Sequence, residues 1–236
     1  MIELERAAFG WPDAAPVWAG LSLCVQPGEK LVLLGANGGG KSTLLQLLDA
    51  LVYATAGQYR YDGDVVTAAR ARRTDWARRF RREVGLLFQH PETMLFNPTV
   101  RDEIGYGPRR LGLPDAEARI ADWAARLRIA HLLDRPPFLL SGGEKQRLAL
   151  ACVLVMEPKL LLLDEPLAHL DPRTARWLLD WLAQSPATVI TSTHQLASAP
   201  QLGARALVLA DGSLAYDGPL GQALADADLL ARADLA

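Results

Sequence analysis

At 236 residues, 50% of them hydrophobic and 22% charged, the chain can bury one large core, or a core with a subdomain; its formal net charge of −2 gives no bulk electrostatic case for holding nucleic acid. The 2 cysteines, Cys24 and Cys152, lie on apolar segments far apart in sequence, which reads as two buried, reduced thiols in a reducing compartment. The N-terminus is acidic at once (Glu3, Glu5) and the longest apolar runs are about half a membrane span, so neither a signal peptide nor a membrane crossing is expected.

In chain order, segments 2–9 and 21–25 read as strands of an antiparallel flank, separated by the turn-rich stretch 10–16. The run 31–34 is the first of three short apolar runs, with 160–163 and 187–191. None alternates polar with apolar, as suits central strands covered by helices on both faces. Each ends at a candidate chemical residue, and in doubly wound sheets the carboxyl ends of the strands converge on one ligand crevice.

The first run leads into Gly35-Ala36-Asn37-Gly38-Gly39-Gly40-Lys41-Ser42-Thr43, a match to G-x-x-x-x-G-K-[ST] placed between a strand and an amphipathic helix carrying Leu44, Leu45, Leu47 and Leu48. Its glycines let backbone N–H groups curl around a β-phosphate. Lys41 is expected to reach the β- and γ-phosphates of ATP, and the Ser42 hydroxyl to coordinate Mg2+.

Further on, Arg70, Arg72, Arg73, Arg78, Arg79, Arg81 and Arg82 cluster ahead of Gln89. A nucleic-acid or lipid patch is the sharp reading; a solvated helix face is the preferred one, given the acidic balance elsewhere. From Gln89 to Pro158 the character turns helical, with helices predicted over 115–128 and 142–156. The second run ends in Asp164 and Glu165: Asp164 is expected to hold Mg2+ and Glu165 to act as general base on water. His194 follows the third run, either as a structural hydrogen-bonder or as a contact to the γ-phosphate. His90, His131 and His169 are not spaced as metal ligands. Asp211-Gly212 joins 204–210 to 213–216 as a hairpin, and an Ala/Leu-rich tail follows from Leu220.

Leu140-Ser141-Gly142-Gly143-Glu144-Lys145-Gln146-Arg147 is the most telling stretch. Ser141 and Glu144 form an S-x-x-E capping box, so a helix starts here with glycines at its mouth. Such an end attracts phosphate, yet it lies far from the chain's own phosphate loop. The ATP it caps is expected to belong to another subunit.

The ordered set of phosphate loop, Gln89, the stretch from Leu140 to Arg147, Asp164 and Glu165, Leu170-Asp171 and His194 resembles the ATPases of ABC transporters over nearly the full chain. The resemblance implies an α/β fold: a P-loop NTPase (RecA-like) core, 1–88 and 158–236, with an antiparallel β flank and an inserted α-helical subdomain, 89–157, in a single domain. It implies that Trp11 stacks on adenine, though a solvent-shielding turn aromatic is the alternative. Gln89 would touch Mg2+ or the lytic water, and Asp171 would cross the interface of a dimer. Two chains would sandwich two ATP molecules head to tail, with Ser141, Gly142 and Gly143 of one closing over the γ-phosphate held by the other. A homodimer is the simplest assembly, with a heterodimer with a second ATPase as the alternative. His169 stands where a small residue is usual.

The stretch Phe88-Gln89-His90-Pro91-Glu92, continuing through Leu95-Phe96-Asn97-Pro98-Thr99-Val100 to Gly105-Tyr106-Gly107-Pro108, is similar to the ATPases of energy-coupling factor importers. Met94 stands where a glutamine is usual. This likeness implies a groove for coupling helices of a transmembrane T component, with Glu92, Asp102 and Glu103 facing its basic residues, and a separate substrate-binding membrane component. It further implies a peripheral place on the cytoplasmic face of a prokaryotic cell membrane. A chain of this length with complete motifs looks more like a dedicated importer's ATPase, with cobalt the preferred cargo and nickel or biotin the others. The alternatives are the ATPase of another ABC class, a soluble ABC ATPase of an assembly machine, a P-loop kinase, or a plain subdomain connection over 91–108.

Overall fold

In the computed structural model, which describes residues 1–235, the chain opens with an antiparallel pair, β1 (Ile2–Gly10) and β2 (Pro16–Val25). Strand β3 (Lys30–Gly35) leads through the glycine loop into α1 (Lys41–Leu48). Then come β4 (Ala56–Tyr61), β5 (Asp64–Val65), α2 (Ala68–Ala71), α3 (Thr74–Glu83) and β6 (Val84–Leu87). A helical block follows: α4 (Val100–Leu111), α5 (Ala116–Arg126) and α6 (Gly142–Leu154). The chain returns to the sheet with β7 (Leu160–Asp164), α7 (Pro172–Gln184), β8 (Thr188–Ser192), α8 (Ala199–Leu202), β9 (Arg205–Ala210) and β10 (Ser213–Pro219). Helices α9 (Leu220–Ala225) and α10 (Ala227–Arg232) come last among the described elements.

Two sheets result. One is antiparallel, in the order β2-β1-β4-β5; the other runs β10-β9-β3-β8-β7-β6, parallel except for its β10 edge. The interiors of the parallel strands carry no charged residue because both faces are covered. Val32 and Leu34 of β3, with Leu161 and Leu163 of β7, join the core beneath the helical block. Leu31, Leu33, Leu160 and Leu162 join the core shared with the antiparallel sheet and α1. All eight are fully buried, each contributing about 2 kcal/mol of apolar transfer. With β3, β7 and β8 adjacent and parallel, their carboxyl ends open at one edge, where the glycine loop, Asp164 and Ser192 emerge.

The structure corrects several expectations. Strand β2 begins at Pro16 rather than at 21, because a bulge at left-handed Gly20 breaks the alternation while Trp18 stays buried against Phe9. Cys24 is exposed: it falls between buried Leu23 and Val25, so the period of two turns it outward. Cys152 is half-buried on α6, and burial pushes its thiol up. Helix α4 is a full element with Pro108 in its interior, capped by Thr99, whose hydroxyl accepts the Asp102 N–H at 3.1 Å.

Glu103 does not face a partner. It is buried on α4, where its Oε2 accepts the N–H groups of Phe96 (2.8 Å) and Asn97 (2.6 Å). Asp102 is engaged by the Thr99 hydroxyl at 2.6 Å and by Arg109 at 3.1 Å. In the arginine cluster, Arg70 and Arg79 both pair with Asp64, and Arg81 pairs with Asp49 at the carboxyl end of α1. Three of the seven arginines are thus tied to two carboxylates within the fold. No described helix is long and apolar enough to cross a membrane.

Candidate active site

The glycine loop is shaped by two positions that demand glycine. Gly35 ends β3 with φ +148°, and a Cβ there would lie 2.5 Å from the Leu209 carbonyl oxygen. Gly40 is the left-handed N-cap of α1, with φ +87°, and a Cβ there would meet Val17 at 2.7 Å and Trp18 at 2.8 Å. From this turn α1 starts with its free N–H groups exposed to the loop, the arrangement that receives phosphate. Lys41 is buried, and its Nζ donates to the Gly35 and Ala36 carbonyls at 2.8 Å each. Burial pushes its ammonium below the usual lysine range, while Glu165 and Asp164 pull the other way.

At the end of β7, Asp164 and Glu165 are both buried. The Ser192 hydroxyl at the end of β8 donates to Asp164 Oδ1. Glu165 sits in the left-handed region at φ +50°, a strained place for a residue with a side chain. Its N–H donates to the Ser192 carbonyl at 3.2 Å. Its carboxylate meets His194 twice: Oε1 accepts the His194 N–H at 2.9 Å and lies 2.6 Å from Nδ1. The Thr193 hydroxyl donates to Oε2 at 3.4 Å. Ser192 and Thr193 are thus positioning residues that sequence reasoning did not assign, although hydroxyls at a strand end beside an acid pair are a usable signal.

A cavity of about 130 Å³ is lined by Asn37, Gly38, Gly40, Lys41, Ser42, Thr43, Gln89, Asp164 and Glu165. Residues from the phosphate loop, the end of β6 and the end of β7 are brought together there. Gly35 and Ala36 shape the loop from behind through Lys41. Trp11 stands outside this cavity, 46% exposed and edge-on to Phe9 at 5.0 Å.

Ser141, Gly142, Gly143 and Asp171 do not line the cavity. Ser141 caps α6 in a full capping box: its N–H and hydroxyl donate to Glu144 Oε2 at 2.8 and 2.7 Å, and its Oγ faces the Glu144 N–H. These hydrogen bonds hold the Glu144 carboxyl below its usual range. Gly142 presents open backbone beyond the cap, while Gly143 backs onto the His169 carbonyl. Asp171 caps α7, accepting from the Arg173 and Thr174 N–H groups at 3.1 and 3.0 Å. The Thr174 hydroxyl, more than any other group, holds its carboxyl below the usual range.

Residues 18–168 match the family model described as ABC transporter. The chain is 38% identical to the energy-coupling factor transporter ATP-binding protein EcfA of Methanothermobacter thermautotrophicus, over 100% of this chain and 76% of that protein. It is 42% identical to the nickel import ATP-binding protein NikO of Rhodobacter capsulatus, over 99% of this chain and 94% of that protein. Its fold superposes on CbiO1 of Clostridium perfringens, part of the ABC transporter complex CbiONQ, with a TM-score of 0.79 and 29% identity over 99% and 94% of the two chains.

Proposed function

Since this chain belongs to the ABC transporter family and is an ATPase, we propose that it is the ATP-hydrolysing subunit of an energy-coupling factor importer. Similarity to EcfA and NikO along nearly all of this chain, at 38% and 42% identity, with the CbiO1 fold, is the observation that carries the importer class. The buried Glu165 carboxylate at the cavity wall, steadied by His194 and Thr193, carries the hydrolytic role.

ATP enters with its phosphates on the glycine loop and its base against Trp11. Lys41 exchanges the Gly35 and Ala36 carbonyls for the β- and γ-phosphates, which regain its lost solvation with a full opposite charge. Ser42, Gln89 and Asp164 would hold Mg2+: hydroxyl, amide and carboxylate oxygens are the hard donors it takes, and Asp164 Oδ2 is left clear by the Ser192 contact on Oδ1. When bound, that ion supplies charge neutralisation of the phosphates. Glu165 accepts a proton from the water that attacks the γ-phosphorus as the bond to the β–γ bridging oxygen breaks and ADP leaves; the His194 ring turns toward the γ-phosphate while its backbone N–H stays on Glu165 Oε1.

Ser141, Gly142 and Gly143 cap the γ-phosphate of a second copy of this chain, and Asp171 crosses that interface. Closure on ATP and reopening after hydrolysis drive a transmembrane T component and a substrate-binding membrane component. A groove of about 590 Å³ bounded by Arg78, Arg81, Tyr106, Arg110 and Leu111, next to the exposed Phe96–Tyr106 pair, would receive the T component through apolar and acidic groups rather than through basic ones. The protein then works on the cytoplasmic face of a prokaryotic cell membrane. Cobalt is the preferred cargo, with nickel and biotin as the competing ones.

The test is affinity purification of tagged protein from detergent-solubilised native membranes, with mass spectrometry of what accompanies it. A T component with a small membrane protein is the expected outcome, and the latter's binding of cobalt, nickel or biotin names the cargo. Soluble partners alone would move the ATPase to a cytosolic machine.

A further inference from the structure

Where the helical block meets the sheet core, a cavity of about 230 Å³ is lined by Arg126 and Arg128 at the end of α5 and by Arg173, Thr174 and Trp177 in the first turns of α7. Three guanidinium groups share this cavity, with no carboxylate among its lining residues. Arg126 is answered from outside: its Nε donates to Asp122 Oδ2 at 2.8 Å, and its guanidinium lies over the Trp123 ring at 5.2 Å. The Thr174 hydroxyl is committed to Asp171 at 2.6 Å. Arg128 and Arg173 have no acidic partner and no side-chain hydrogen bond among the described residues. Elsewhere Arg70, Arg81, Arg109 and Arg205 each pair with a carboxylate.

Both of these arginines stand where local physics favours another residue. Arg128 ends α5 in the left-handed region, at φ +59°. The Ile129 N–H donates to the Ala124 carbonyl at 2.8 Å and the Arg128 N–H to the Ala125 carbonyl at 3.0 Å. That pair of helix-ending bonds usually turns on a glycine, because a side chain is strained there. Arg173 lies in the first turn of α7, at the positive end of the helix dipole, which favours an acid over a cation. Asp171 caps this turn, yet its carboxylate pairs with Arg147 and not with the Arg173 guanidinium. Two unpaired cations lining one cavity also repel each other. A local cost kept on both sides of one cavity points to a function.

We propose that this seam is a binding site for a phosphate-class anion, held chiefly by Arg128 and Arg173 with Arg126 at its edge. Guanidinium forks match phosphate oxygens two at a time. The volume falls below the roughly 300–1,000 Å³ of sites for whole drug-sized ligands. It therefore suits phosphate, pyrophosphate or the phosphoryl end of a larger molecule, and not a complete nucleotide. Trp177 supplies an aromatic wall. Arg128 belongs to the helical block and Arg173 to the core, so an anion held by both ties one to the other, as the Trp123–Trp181 contact at 5.5 Å already does. The site shares no lining residue with the cavity at the glycine loop.

The test is isothermal titration calorimetry of the full chain with pyrophosphate and with inorganic phosphate. The glycine loop is first saturated with ADP and Mg2+, and ionic strength is held constant with chloride. Saturable binding is expected, with slowed hydrogen exchange over 124–129 and 172–178. Arg128→Gly and Arg173→Glu should each weaken binding at least about tenfold. Their melting temperatures without anion should stay level or rise, because glycine fits the left-handed position and an acid fits the start of α7. Glycerol phosphate separates the sources. Binding as tight as that of inorganic phosphate supports the phosphoryl end of a larger molecule, and weaker binding supports free phosphate, which ATP hydrolysis releases. No saturable binding, undiminished binding in both variants, or slowed exchange at the glycine loop alone would overturn the inference. So would lower melting temperatures in both variants without anion, which would assign the arginines to the fold.

Discussion

His194 meets Glu165 at one and the same oxygen: its backbone N–H donates to Oε1 at 2.9 Å, and its ring Nδ1 lies 2.6 Å from that atom. The histidine thereby holds the carboxylate in place from the rim while its ring stays 53% exposed, free to turn toward a phosphate. Each of the following expectations depends on how a contact of this kind is broken or preserved.

Glu165→Gln keeps the shape and an oxygen acceptor but removes the base. ATP should bind within a few-fold of the unmodified chain, turnover should fall by about 10²–10⁴, and a closed dimer should accumulate. Single-turnover hydrolysis with size-exclusion chromatography reads all three. An unimpaired rate would place the base elsewhere.

Lys41→Ala removes a charged donor from the phosphate cradle. Charge-assisted hydrogen bonds of this type contribute about 1.5–3 kcal/mol, so ATP affinity should drop on the order of 10- to 100-fold. Titration with a fluorescent ATP analogue measures it. Unaltered affinity would contradict the phosphate-loop assignment.

Ser141→Arg puts a bulky cation at the mouth of α6 and removes the side-chain half of its capping box. Binding of ATP to a single chain should be unaffected, because Ser141 does not line that chain's cavity. ATP-driven dimerisation of the Glu165→Gln background should be lost. A dimer that still forms would show that α6 does not cap the partner's nucleotide.

Asp49 offers a stability measurement independent of catalysis. Burial pushes its carboxyl up to about 7, against the opposing pull of Arg81. Because the folded value lies above the unfolded one, the folded state holds an extra proton between about pH 4 and 7. The stabilisation this gives is complete below the unfolded value and is lost as pH rises through about 7. Asp49→Asn should therefore gain stability relative to the unmodified chain between pH 5 and 8, by on the order of a few kcal/mol. Paired melting temperatures at the two pH values test this; a constant difference would mean that Asp49 titrates alike in both states.

What could be read from the chain, and what could not, divides by distance along the sequence. The three central strands stood out because burial on both faces keeps charged side chains out of their interiors, and the residues at their ends announced the crevice. The α6 cap was legible because Ser141 and Glu144 are three residues apart. Helix α4 was not, since Gly105, Gly107 and Pro108 carry turn signals that tertiary packing overrides. Cys24 and Glu103 were misplaced because their orientation depends on a neighbouring strand and on a preceding loop. The contacts of Asp49 with Arg81 and of Arg147 with Asp171 join residues 32 and 24 positions apart. No local period records them.

The turn at Gly40 has a wider bearing. Because that residue lies directly against Val17 and Trp18, the antiparallel sheet is the floor under the phosphate loop. Bulk added to that floor pushes up into the loop, and bulk removed lets it sag. Drift in β2 is therefore constrained by a position more than twenty residues downstream, and the two must be inherited as a matched set. A sheet that touches no phosphate still sets how deep the nucleotide can settle.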